Sequence, residues 1–235
     1  MKKRSTRWGR LGLLVVAAMV LIGLAGCAKA YDVVITPAEF LKAKDVKPPE
    51  PGARTGTLYQ WTIADQFQRD DYSNWSTSGE LRFVKLVRGV PLSKYVEEAK
   101  QFVAQRKEFS GVKVLEERDL NINGVPAKEI IYEFELNSIR KNIENAVRNG
   151  VIDQADAKEL ITHRMYQVHL IKEGYGYTLS MIASLKIWDE YLPAFREMAM
   201  SIQFLPQGQA AEQYRRELEE KLRSAPTQSG GGGGG

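Results

Sequence analysis

The run "VKVLEERDLNINGVPAKEIIYEFEL", Val112 to Leu136, limits this chain to few architectures. Asn123-Gly124 at its centre is the dipeptide that tolerates both positive φ angles of a type I′ turn, and the arms on either side read as antiparallel strands. In the second arm Ile130, Tyr132, Phe134 and Leu136 face one way, while Glu129, Glu133 and Glu135 face the other. One side is therefore expected to be core and the other wet. A second hairpin is expected in "RMYQVHLIKEGYGYTLSMIASLK", with its turn at Glu173-Gly174 and with Tyr177, Leu179, Met181, Ala183 and Leu185 sharing a face.

The remaining elements fit around those hairpins. "TLYQWTIA" alternates through Thr57, Tyr59, Trp61 and Ile63, and "ELRFVKLVR" (Glu80 to Arg88) is another strand. "PLSKYVEEAKQFVAQRKEF" switches to helical period, with Leu92, Tyr95, Val96, Ala99, Phe102 and Val103 on one face. Residues 137–161 read as two short inserted helices, the first closed by Gly150 and the second capped by Asp153. "WDEYLPAFREMAMSI" is helical through Trp188, Leu192, Phe195 and Met198 or Ala199, with Pro193 expected in its first turn. "QFL" (Gln203 to Leu205) reads as a short edge strand. The sum is an α+β domain: an antiparallel sheet of about six strands with helices packed on it.

The domain is expected over residues 57–206. Residues 27–56 read as a tether in which "TPAE" (Thr36 to Glu39) has the form of a capping box and predicts a short helix through about Lys44. "KPPEPGARTG" follows as a linker. Residues 207–235 read as a charged helical tail with a glycine-rich end.

The first 26 residues are of another kind. "MKKRSTRWGR" carries five basic residues and no acid, and an uncharged run from Leu11 to Leu24 follows. Ala25, Gly26 and Cys27 come next, which completes the three parts of a secretory signal. "LAGC" (Leu24 to Cys27) resembles the lipobox of bacterial lipoproteins. That resemblance implies cleavage between Gly26 and Cys27, a diacylglyceryl group on the Cys27 thiol, and residence on the extracytoplasmic face of a cell membrane. A cleaved signal with an incidental cysteine and an uncleaved anchor are the alternatives, although a span needs about 20 apolar residues and this run is shorter.

Removing the signal also changes the charge. The whole chain has 33 basic and 29 acidic residues; without the five basic residues of the signal, 28 stand against 29. The basicity belongs to the signal and gives no argument for nucleic acid as a partner. Cys27 is the one cysteine, so the domain folds without a disulfide.

"NGVPAKEIIYEF" and "GYGYTLSMIASLKIWDEYLPAFREMAMSIQFL" resemble the PsbP/Mog1-like domains of bacterial lipoproteins. The resemblance spans about Thr57 to Leu205 and implies an α/β/α sandwich with a non-catalytic binding or assembly role. It names no ligand.

The residue pattern agrees with that implication. No Gly-x-Ser-x-Gly elbow occurs. His163 and His169 sit six apart on one expected strand, roughly 20 Å along it, too far to share a metal. "GYGY" lacks the third glycine of a dinucleotide fingerprint. Glu116 and Glu117 point to opposite faces of a strand, and Asp189 is expected at a helix N-terminus, where an acid is favoured anyway. No metal, cofactor or catalytic residue is expected. The candidate binding residues are Phe67, Tyr72 and Trp75, three aromatics in the polar loop "DQFQRDDYSNWSTSG".

The function expected is that of a membrane-anchored lipoprotein held in membrane lipid through acylated Cys27. Its α+β domain would bind or help assemble an envelope or membrane protein. A small-ligand receptor, with a pocket lined by residues such as Tyr132 and Tyr177, and an envelope hydrolase are the alternatives.

Overall fold

The computed structural model describes residues 32–47, 49–50, 52–69, 73–74 and 76–205. Two short strands open the described chain, β1 (Asp32–Val34) and β2 (Leu41–Ala43), followed by β3 (Thr55–Ile63) and β4 (Ser78–Lys85). Helix α1 (Leu92–Ala104) leads into the hairpin β5 (Phe109–Ile122) and β6 (Val125–Leu136). The insertion forms α2 (Asn137–Arg148) and α3 (Gln154–Ile161); β7 (Thr162–Lys172), β8 (Tyr175–Ser184), α4 (Leu185–Met200) and β9 (Gln203–Leu205) complete the fold.

Both hairpins form where turn chemistry places them. Asn123 and Gly124 take φ of 49° and 83°, and Glu173 and Gly174 take 47° and 81°, so each turn has the two left-handed residues of type I′. Among the described residues the main sheet has seven strands in the order β2-β3-β4-β8-β7-β6-β5, with every adjacent pair antiparallel. β9 pairs with β1 in a separate two-stranded ribbon.

Helices cover the two faces unequally. α4 packs on one face over β7 and β8, where Trp188, Phe195 and Met198 meet Tyr166, Leu179 and Met181. On the other face α1 packs over β5, β6 and β7, and Val96 and Val103 join Ile130, Tyr132, Phe134 and Met165. The insertion ends as its sequence predicts. Val151 N–H bonds to the Ala146 carbonyl and Gly150 N–H to the Val147 carbonyl, the paired bonds of a Schellman motif, while Asp153 Oδ1 accepts from Asp156 N–H at 2.7 Å.

Four expectations are corrected. Thr36 to Lys44 is not helical: Leu41 is buried in β2 against β3, and Phe40 stacks on Tyr191 at 4.1 Å. The Thr36 N–H donates to Ser201 Oγ at 2.8 Å, so tertiary contacts override the local capping signal and make part of the expected tether an element of the fold. Pro193 lies in the interior of α4, which starts at Leu185. It is exposed, so water can serve the carbonyl that loses its helical partner. Asp189 accordingly lies beyond the first turn, within 4.0 Å of Arg164. The Glu129 face of β6 is not wet: Glu129 is 0 % exposed, because α4 closes over that face and meets the carboxylate with Arg196.

Candidate binding groove

Because α1 covers only the β5–β6–β7 half of its face, the other half is left as an open shelf. Strand alternation decides what stands on it. Register places Gln60 opposite Glu80, Glu80 opposite Ser180, and Ser180 opposite Gln167. The next row runs from Thr57 through Arg82 and Thr178 to His169. The shelf and the flank of α1 enclose a groove of about 470 Å³, walled on the helix side by Ala99, Phe102, Val103 and Arg106.

A continuous hydrogen-bond chain stiffens the groove. The Tyr95 hydroxyl lies 2.8 Å from Thr178 Oγ1, which lies 3.0 Å from His169 Nδ1. His169 Nε2 is 3.1 Å from Gln167 Oε1, and Gln167 Nε2 donates to Ser180 Oγ at 3.0 Å. One proton arrangement serves every member. Tyr95 donates to Thr178, Thr178 to His169, His169 through Nε2–H to Gln167, and Gln167 to Ser180. That arrangement needs a neutral imidazole. Burial, aided by the nearby Lys100 charge, lowers the His169 pKa to about 4. The Tyr95 phenol is shifted the other way, raised by its own burial.

Close packing locks Tyr95 in place. Its ring lies across Gly176, where a Cβ would come within 2.6 Å of the ring. The ring edge meets His169 at 5.7 Å between centroids. At the rim Phe102 is 60 % exposed, and the Arg106 guanidinium lies 6.0 Å from its ring and 4.7 Å from that of Phe109. Glu80 and Arg82, 4.0 Å apart, bring opposite charges to the floor.

Of the three aromatics that the sequence grouped, Phe67 alone lies among the described residues. Phe67 ends a 3₁₀ turn (Asp65–Phe67), is half-buried against the α4-side core, and takes no part in the groove. Tyr72 and Trp75 lie outside the described residues, as do Gly26 and Cys27. Tyr132 is buried beneath α1 and Tyr177 in the core on the opposite face, so neither lines the pocket as a receptor reading expected. Phe102, assigned to the core face of α1, stands at the rim instead.

In the loop before β4 the described residues Ser73, Asn74 and Ser76 are each fastened. Asn74 is buried and its Nδ2 donates to the Phe67 carbonyl at 2.6 Å, while Ser184 Oγ donates to the Ser73 carbonyl. Ser76 Oγ also meets His163 Nε2, a serine–histidine contact across 87 positions that no local motif signals. His163 Nδ1 faces the Ile161 carbonyl, not a carboxylate, and burial lowers its pKa to about 4. A base that weak holds a loop better than it activates a hydroxyl.

No family model and no curated protein matches the chain. Among solved structures it is similar to the PsbP protein of the cyanobacterium Synechocystis sp. PCC 6803, at 11 % identity and a TM-score of 0.45, over 76 % of this chain and 96 % of that one. It is also similar to LpqN of Mycobacterium tuberculosis, described as involved in cell envelope biogenesis, at 9 % identity and a TM-score of 0.45, over 77 % and 87 %. A third is the Ran-binding protein Mog1p of Saccharomyces cerevisiae, at 11 % identity and a TM-score of 0.41, over 75 % and 97 %.

Proposed function

We propose that this chain is a lipoprotein, carried at the extracytoplasmic face of a bacterial membrane by acylated Cys27. Its α+β domain is a non-catalytic module that engages an envelope or membrane component through the groove beside α1. Supporting the anchor are the basic start, the apolar run and the "LAGC" segment. Two or more acyl chains on one residue give stable attachment.

The observation that carries the binding reading is the shelf of polar side chains left open beside α1, with its floor already ordered by the Tyr95-to-Ser180 chain. Ordered binding groups lose little freedom when they are occupied. If the component is a protein, Phe102 and Arg106 are residue types suited to its contact. The concave volume of about 470 Å³ favours a second form of the reading, a receptor for a small polar ligand.

Two experiments test this. Replacing Cys27 with serine should abolish uptake of labelled fatty acid and release the protein from the membrane fraction; retention of both rejects the anchor. A photo-crosslinking residue at position 82 or 102 should capture an envelope component in intact cells, and the same residue at Lys94, on the outer side of α1, should not. Equal capture at all three positions rejects the groove as the site.

A further inference from the structure

We propose that the groove takes a short, uncharged saccharide, an inference that rests on reading the groove as the binding site. The groove has two chemistries across its width. Its helix wall presents Ala99, Val103 and the exposed ring of Phe102, with Arg106 at its end, and its floor toward β3 and β4 presents the polar Gln60, Glu80 and Arg82. A pyranose ring is divided in the same way, with C–H groups on its faces and hydroxyls around its edge.

Phe102 supplies the flat apolar surface. It is 60 % exposed at the end of a rigid helix, so a sugar face can lie against it without displacing packed core. Gln60, Glu80 and Arg82 supply the complementary edge. Each ends in a planar group with two polar atoms side by side, the spacing that meets two neighbouring hydroxyls at once. Gln60 and Glu80 stand directly opposite each other, and Arg82 is the next residue facing the same way on β4. Ser180 and Thr178 complete the floor, with orientations fixed by Gln167 and His169 on the neighbouring strand.

Charge balance selects against the competing ligands. The Glu80 carboxylate offsets Arg82, and the Glu108 carboxylate lies 3.6 Å from Arg106, so the site has no concentrated positive field to hold a phosphate. An acyl chain on this floor would strip water from the partly or fully exposed Gln60, Glu80 and Arg82 and return no hydrogen bond.

The test uses the natural lipidated protein, extracted in a detergent without a sugar headgroup. It is titrated separately with cellotetraose, chitotetraose and maltotetraose while methyl resonances of Ala99, Met165 and Ile182 are followed. Saturable shifts are expected with at least one of these sugars, weakened about tenfold or more in Phe102→Ala and in Glu80→Gln and unchanged in Lys94→Ala. Both altered side chains are at the groove surface, so the unfolding midpoint checks that each variant remains folded. Absence of saturable shifts with all three sugars, or wild-type affinity in the Phe102→Ala and Glu80→Gln variants, overturns the saccharide. If the crosslinker at position 102 still captures a protein in cells, the binding reading stands without the sugar. If it captures nothing, both fall.

Discussion

Arg196 Nη2 donates to Glu129 Oε1 at 2.9 Å, joining α4 to the centre of β6 at a carboxylate that has no solvent exposure. Arg118 of β5 meets the same carboxylate, with Nε at 2.7 Å, and Glu116 lies 3.2 Å from Arg196. A buried charge is tolerated only when it is paired and hydrogen-bonded, so this cluster is where the hairpin and the helix depend on each other. Burial alone would raise the Glu129 pKa, but hydrogen bonds from Arg118 and Arg196 outweigh it and hold the carboxyl below its usual range.

Removing one arginine should therefore be costly but not ruinous. Arg196→Met is expected to destabilise by about 1–3 kcal/mol, below the roughly 3–5 typical of a fully orphaned buried charge, because Arg118 remains. Glu129→Gln should also flatten the acid limb of the stability curve. A carboxyl with a lower pKa in the folded state stabilises above its unfolded pKa, and that stability is lost as pH falls through the folded value. Urea unfolding at stepped pH measures both effects. Wild-type acid sensitivity in Glu129→Gln would count against the cluster.

The two buried histidines act over a higher pH window. Each has its pKa lowered from 6.5 to about 4, so the unfolded chain binds more protons across that interval and stability falls as pH drops from about 6.5 toward about 4. Each histidine adds a slope of at most about 1.4 kcal/mol per pH unit. Replacing His169 with glutamine should remove one such contribution, seen as a shallower dependence of the urea midpoint on pH over that range. An unchanged slope would mean that His169 titrates normally in the folded protein.

Tyr95 and Gly176 should show strong coupling. Gly176→Ala places a methyl within 2.6 Å of the Tyr95 ring, and overpacking of this kind costs about 1–3 kcal/mol. Tyr95→Phe, which loses only the bond to Thr178, should cost about 1 kcal/mol. In a Gly176→Ala, Tyr95→Ala double variant the clash is gone, so the combined loss should be less than the sum of the single losses. Simple additivity in a double-mutant cycle would rule out the contact.

Asn123 does two jobs that substitution can separate. Its φ of 49° is left-handed, and its Nδ2 donates to the Ile202 carbonyl at 2.7 Å, tying the hairpin tip to the end of α4. Asn123→Gly keeps the conformation and loses the bond, for a cost of about 1 kcal/mol. Asn123→Ala loses both and should cost about 1 kcal/mol more. Equal losses in thermal unfolding would show that the backbone conformation contributes nothing.

Features that depend on neighbours along the chain were legible in the order of the residues. The Asn123-Gly124 and Glu173-Gly174 turns, the Gly150 stop, the Asp153 cap and the alternation of β6 are all local physics, because a left-handed φ or a free helical N–H is answered within a few residues. Which of the resulting faces would be covered depended on packing between distant elements. Glu129 read as solvent-facing until α4 closed over it, Phe102 read as core until the sheet proved wider than α1, and Thr36 to Lys44 read as helix until Phe40 and Leu41 found partners on α4 and β3. The groove was hidden for the same reason. Gln60, Glu80, Ser180 and Gln167 come from four strands, and only strand order and register, set by the packing of both sheet faces, put them in one row.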